Sequence, residues 1–181
     1  MQDIQEFRYD LKIPRERVAV IIGKDGSTKR ALESLTTTRI NVDSDSGEIV
    51  ITGSDTLLLY QTREIVRAIA RGFNPDIAQQ LIKQDYSLEV LNLQDYSRNP
   101  NDLERLKGRI IGQDGKARRT IEELTKTSLC VYGKTISIIG YVEDISVARR
   151  AVESLLAGSR HGNVYKKIER RNRFMKRPVT F

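Results

Sequence analysis

Residues 6–13, EFRYDLKI, alternate apolar Phe7, Tyr9, Leu11 and Ile13 with polar neighbours. A two-residue period of this kind predicts a strand. Pro14 then opens a short helical stretch, RERVAVII, because proline suits the start of a helix. After a glycine-bounded turn, STKRALESLT places Ala31, Leu32 and Leu35 at helical spacing. RINV and EIVITG read as strands around an acidic loop, DSDSG. SDTLLLYQTREIVRAIARG predicts a long helix, capped by Ser54 or Asp55 and ended by Gly72. Its Leu57, Leu59 and Tyr60 are apolar positions in excess of one helical stripe.

The second half repeats this order. YSLEVLNL is a strand, PNDLERLKGRII and KARRTIEELT are helices, SLCVYG and TISIIG are strands, and VEDISVARRAVESLLAG is a helix. With Gly23 set against Gly112, Ile21 and Ile22 meet Ile110 and Ile111, Gly26 meets Gly115, and Glu33 meets Glu122. Leu35, Thr36 and Thr38 meet Leu124, Thr125 and Thr127. After a two-residue deletion, Ile49, Ile51 and Gly53 meet Ile136, Ile138 and Gly140. Self-similarity over a whole unit marks an internal repeat. The expected fold is α+β, with β-α-α-β-β-α twice and each three-stranded antiparallel sheet packed on three helices. The expected divisions are residues 1–73, a linker helix over 74–85 capped by Asn74 with Pro75 at its first position, residues 86–159, and a basic tail or helix over 160–181.

Composition narrows the function. The chain is 39% hydrophobic and 30% charged, which fits a folded globular protein and excludes a disordered one. No apolar run reaches the length of a membrane span, and MQDIQEFRYD lacks a signal pattern. The expected compartment is the cytoplasm, with no membrane partner. A single cysteine, Cys130, and a single histidine, His161, exclude a disulfide framework and a cysteine-rich zinc site. Cys130 is read as a small residue on a sheet, and His161 as a structural residue. The formal charge of +7 lies entirely in the tail, where Arg160, Lys166, Lys167, Arg170, Arg171, Arg173, Lys176 and Arg177 face only Glu169. A basic segment of this kind favours a polyanion, RNA first. Val164, Tyr165 and Ile168 have the spacing of a helix that docks on the body.

The repeated turn carries the chemistry. Gly23-Lys24-Asp25-Gly26 and Gly112-Gln113-Asp114-Gly115 each lead into a helix N-terminus. Unpaired N–H groups and the helix dipole favour an anion there, and glycine accepts a positive φ. Lys29 and Arg30 follow the first turn. Arg109 precedes the second, and Lys116, Arg118 and Arg119 follow it. Asp25 and Asp114 are candidates to cap the helix that follows. The acidic loop with Asp43, Asp45 and Glu48 disfavours phosphate beside the first turn.

The arrangement resembles a type I KH domain, in which the Gly-x-x-Gly loop clamps the backbone of single-stranded nucleotides. The resemblance makes the two turns the clamps. It places Ile22, Ile40 and Val42, and Ile111, Leu129 and Val131, along the apolar grooves. Three further stretches, IKQDYSLEVLNLQDY, LKGRIIGQDGKARRTIEELT and HGNVYKKIERRNRFMK, resemble the archaeal members of a small-subunit ribosome biogenesis family, Dim-two or partner of Nob one. That resemblance implies binding near the 3′ end of small-subunit rRNA. It also implies two protein partners, the endonuclease that matures this end and the alpha subunit of initiation factor two. The basic tail is itself expected to add phosphate contacts through Lys166, Lys167, Arg170, Arg171 and Arg173. Both turns are intact here, whereas eukaryotic relatives tend to have a degraded first domain, which favours an archaeal member with two usable RNA surfaces.

A KH-fold protein-interaction scaffold and a general RNA or translation regulator remain as second readings. Neither paired carboxylates in a shared motif, nor a phosphate-binding Walker loop, nor a nucleophile–base set is present. No enzyme activity, cofactor or metal is therefore expected.

Overall fold

The structure, a computed structural model, describes residues 6–97 and 99–175. The chain divides into two compact units, at Leu88 and Glu89. In the first, β1 (Phe7–Lys12), α1 (Arg15–Ile22), α2 (Ser27–Thr36), β2 (Arg39–Val42), β3 (Glu48–Gly53) and α3 (Thr56–Ala70) follow one another. The sheet order is β1-β3-β2, with both pairings antiparallel. Ile40, Ile49 and Ile51 point to one face and are fully buried, as the strand period requires. Helices α1, α2 and α3 pack together, with Ile21, Leu32, Ile65 and Ile69 buried. Asp55, not Ser54, caps α3, its carboxylate accepting the N–H groups of Leu57 and Leu58. Of the extra apolar positions on α3, Leu59 is buried, whereas Leu57 and Tyr60 are exposed.

Beyond α3, Asn74 caps α4 (Pro75–Ala78), a single turn continued by a tighter turn over Gln79–Ile82. Both pack on α3. The helical part is shorter than residues 74–85.

The remaining elements repeat the order, as β4 (Tyr86–Asn92), α5 (Pro100–Ile111), α6 (Lys116–Thr125), β5 (Ser128–Tyr132), β6 (Thr135–Tyr141) and α7 (Val142–Leu156). The sheet order is β4-β6-β5, with β5 and β6 antiparallel. Cys130 is half-buried on β5, opposite Ser137. The same side-chain devices recur in both units. At the end of α2, Thr36 donates to the Leu32 carbonyl at 2.8 Å and pairs with Thr38 at 2.8 Å. Thr125 and Thr127 do the same at the end of α6. Between each pair the chain turns through a left-handed residue, Thr37 or Lys126.

A fourth helix, α8 (His161–Met175), packs on α6 and α7 of the second unit. Val164 and Ile168 join the core, with Tyr165 packed beside them. His161 Nε2 donates to the Arg109 carbonyl at 2.8 Å, and Asn172 donates to the Leu124 carbonyl at 2.8 Å. The basic segment is thus structural as well as charged. Lys176 and Arg177 lie outside the described residues.

Replacing Ile168 with Ala is expected to cost the second unit about 2–5 kcal/mol, through lost transfer energy and a residual cavity. Replacing the adjacent, exposed Glu169 with Ala is expected to cost less than about 0.5 kcal/mol. Chemical denaturation of both variants checks this. Equal, small effects would contradict the docking of α8.

Candidate nucleic-acid interface

The two Gly-x-x-Gly loops are near copies. Gly23 and Gly112 have φ 72°, ψ 177° and φ 70°, ψ 176°, a region that essentially only glycine occupies. A Cβ on Gly23 would lie 2.2 Å from Thr28 Oγ1, and one on Gly112 would lie 2.5 Å from Ala117 Cβ. The missing side chain is therefore what lets the second helix start against the end of the first. Gly26 and Gly115 are left-handed, at φ 77° and 74°. A Cβ on Gly115 would meet nothing closer than 4.0 Å, so its outer side is open.

Asp25 and Asp114 do not cap α2 and α6. They sit at φ 51° and 52° inside the turn, a conformation that Asp tolerates better than most residues. The N-cap residues are Gly26 and Gly115, which have no side chain to accept from the first-turn N–H groups. The first of these donors, the N–H of Ser27 or of Lys116, is taken up by the Lys24 or the Gln113 carbonyl within the turn, and the positive helix end lies beside the turn.

Lys24, Arg30, Lys116 and Arg119 surround the loops and, among the described residues, form no ion pair. Lys29 and Arg118 each have a carboxylate nearby, Glu33 at 3.8 Å and Glu122 at 3.7 Å. Arg118 Nε is covered yet has no hydrogen-bond partner. Glu33 and Glu122 act mainly on the backbone, accepting the N–H of Ile40 and of Leu129, each at 2.7 Å. These carboxylates tie the helix after each loop to the neighbouring strand. The repeat pairs Glu33 with Glu122 but contains no sign of that partner.

Two expectations need correction. Ile40 and Leu129 are 0% and 3% exposed, so their side chains form the core floor and offer no surface to a base. The accessible apolar positions are half-buried Ile22, Val42 and Val131 and exposed Ile111. Arg109 is drawn away from the loop, donating to the carbonyls of Leu155 at 3.0 Å and Ser159 at 2.7 Å. Arg17 does the same for Ile69 and Phe73, at 2.8 Å each. Both arginines satisfy carbonyls at or just beyond the end of a helix, which lack intrahelical partners. The five tail cations divide between two surfaces. Lys166, Arg170 and Arg173 flank exposed Phe174, whereas Lys167 and Arg171 line a groove against α7.

The acidic loop is organised around Asp43. Its carboxylate accepts from the Ser46 hydroxyl and from the N–H groups of Asp45 and Ser46. Those bonds, the hydroxyl first, hold its pKa below the ordinary carboxylate value. Among the described residues no cluster of His, Cys, Asp or Glu is placed to hold a metal ion, and no helix is long and apolar enough to cross a membrane.

A βααββα unit with an open glycine turn between its first two helices defines a KH domain. Residues 8–69 match the KH domain family, and residues 87–173 match the eukaryotic type (type I) KH domain of the PNO1 second-domain family. The chain is 45% identical to a KH domain-containing protein of Methanocaldococcus jannaschii, covering 92% of this chain and 75% of that one. It is 44% identical to the crystal structure of Dim2p from Pyrococcus horikoshii, with a TM-score of 0.86, covering 91% of this chain and 99% of that one. In a complex of a/eIF2alpha, aDim2p and rRNA from the same organism, the matching chain is 43% identical, with a TM-score of 0.89, covering 95% of this chain and 97% of that one. The pre-rRNA-processing protein PNO1 of Chaetomium thermophilum is 35% identical over 61% of this chain, a stretch spanning 44% of that protein. The chain belongs to the Dim2p/PNO1 family of tandem KH proteins.

Replacing Gly115 with Ala is expected to cost about 1–2 kcal/mol for a left-handed non-glycine residue. Replacing Gly112 with Ala is expected to cost more, because its methyl also meets Ala117. Denaturation midpoints check the order, and equal losses would contradict the packing role given to Gly112.

Proposed function

We propose that this protein is a non-catalytic, single-stranded RNA-binding factor of small-subunit ribosome biogenesis, acting at the 3′-end region of small-subunit rRNA. The observation that carries the reading is the pair of superimposable Gly-x-x-Gly turns, each opening an uncapped helix N-terminus. A sugar-phosphate backbone can approach closely where Gly26 and Gly115 lack a side chain. The N–H groups and the helix dipole favour its phosphates. Lys24 and Arg30 add charge at the first loop, and Lys116, Arg118 and Arg119 add it at the second. Bases are read beside Ile22 and Val42 and beside Ile111 and Val131, in the manner of KH domains.

The outer face of α8 adds sequence-independent affinity. Lys166, Arg170 and Arg173 contact phosphates, and Phe174, 60% exposed, offers a ring for stacking. The alpha subunit of initiation factor two is proposed as a partner, on the strength of the related complex that joins a/eIF2alpha, aDim2p and rRNA. The endonuclease that matures the rRNA 3′ end is proposed as a second partner, and the cytoplasm as the site of action.

The test is titration with a short RNA matching the 3′ end of small-subunit rRNA, against a scrambled RNA of equal length. The native end is expected to bind at least about tenfold more tightly, a difference of about 1.4 kcal/mol. Lys24→Asp and Gln113→Asp place a negative charge in each turn without touching the glycines. Together they are expected to remove this preference with the fold retained. Equal binding of both RNAs to the unaltered protein would support a scaffold or a general RNA binder instead.

A further inference from the structure

Away from the residues of either Gly-x-x-Gly turn, a groove of about 260 Å³ runs between α7 and α8. Its floor is aliphatic, made by Val147 and Ala151 of α7 and by Val164 and Ile168 of α8. Its charged lining is wholly cationic, with Arg150 on one wall and Lys167 and Arg171 on the other. Lys167 and Arg171 are one helical turn apart, so both heads reach the same rim.

These cations differ from their neighbours. Arg149, the residue beside Arg150, is held by Glu89 at 2.6 Å and by Glu153 at 2.9 Å. Arg105 and Lys107 are paired with Asp102 and Glu104. Among the described residues, Arg150, Lys167 and Arg171 form no ion pair. Around the aliphatic slot, then, three cations stand without a carboxylate partner, as Lys116 and Arg119 do at the second loop.

We propose that this groove docks an acidic segment of a protein partner, with aliphatic side chains seated between α7 and α8 and carboxylates on Arg150, Lys167 and Arg171. Charge complementarity fixes the sign of the occupant. The floor fixes its chemistry, since aliphatic side chains bury aliphatic surface. RNA fits the slot less well, because no lining residue is aromatic and bases stack on rings. Ser154, the one hydroxyl in the lining, already donates to the Arg150 carbonyl at 2.7 Å, so it cannot also donate to a base edge. Carboxylate recognition by an arginine and lysine cluster beside an apolar groove is a recurrent peptide-binding mode. This assignment is independent of the RNA reading, which uses the loops and the outer face of α8.

The test uses the full chain with labelled methyl groups and two synthetic helical peptides. Both carry the same leucine face, flanked by Glu in one and by Lys in the other. The Glu peptide is expected to bind and to shift the methyl signals of Val147, Val164 and Ile168, and the Lys peptide is not. Arg150→Glu, on an exposed position, is expected to weaken the Glu peptide about tenfold while RNA affinity stays within about twofold. Three results would overturn the proposal: equal binding of both peptides, unchanged affinity in the Arg150→Glu variant, or single-stranded RNA displacing the Glu peptide while shifting the same methyl signals.

Discussion

The structure depends on one backbone corner, built twice. At Gly23 and Gly112 the chain leaves a helix at a φ near +70° with ψ near 180°, and the next helix begins where a Cβ would have stood. An aspartate and a second glycine, both at positive φ, complete the turn. No other residue type satisfies the first position, because both the dihedral angles and the space exclude a side chain. The corner fixes where α2 and α6 start and so where their uncapped N–H groups point. The same helices then place Glu33 and Glu122 on the backbones of β2 and β5. At their ends, the buried threonine pairs turn the chain into those strands. The helix starts, the groove and the sheet all follow from this one turn.

On this common frame the two units differ in charge. The first has a cation inside its turn, Lys24, and an ordered acidic loop around Asp43 beyond β2. The second has neutral Gln113 in its turn but more cations beyond it. It also carries α8, which is tied to α5 and α6 through the Arg109 and Leu124 carbonyls. Helix α8 has three faces with different work. One enters the core with Val164 and Ile168. One presents Lys166, Arg170 and Arg173 around Phe174. One faces α7 with Lys167 and Arg171. A count of tail charge alone merges the last two.

Much of this was legible in the sequence, because the repeat aligns apolar positions whose period is a local property. The strands at EIVITG and TISIIG, the proline and asparagine helix starts at 74–75, and the glycine turns all follow from residues close in the chain. What was not legible depends on distant partners. Arg109 looks like a phosphate ligand beside its loop, yet its guanidinium reaches carbonyls at Leu155 and Ser159. Ile40 and Leu129 are apolar on strands, and only the packed helices decide that they are closed to solvent. Asp25 and Asp114 suit a cap by residue type, but the positive φ puts the cap position one residue further on. His161 has no partner nearby in sequence because its partner is the end of α5.

The proposed RNA contact is phosphate held at both turns by backbone N–H groups. The most direct measurement is an amide-resolved NMR titration of the full chain with a short single-stranded RNA. The account predicts that the largest shifts fall on the amides of residues 23–28 and 112–117, in both units, and persist when Lys166, Arg170 and Arg173 are replaced by Glu. Shifts confined to α8, with the two loops unmoved, would contradict it.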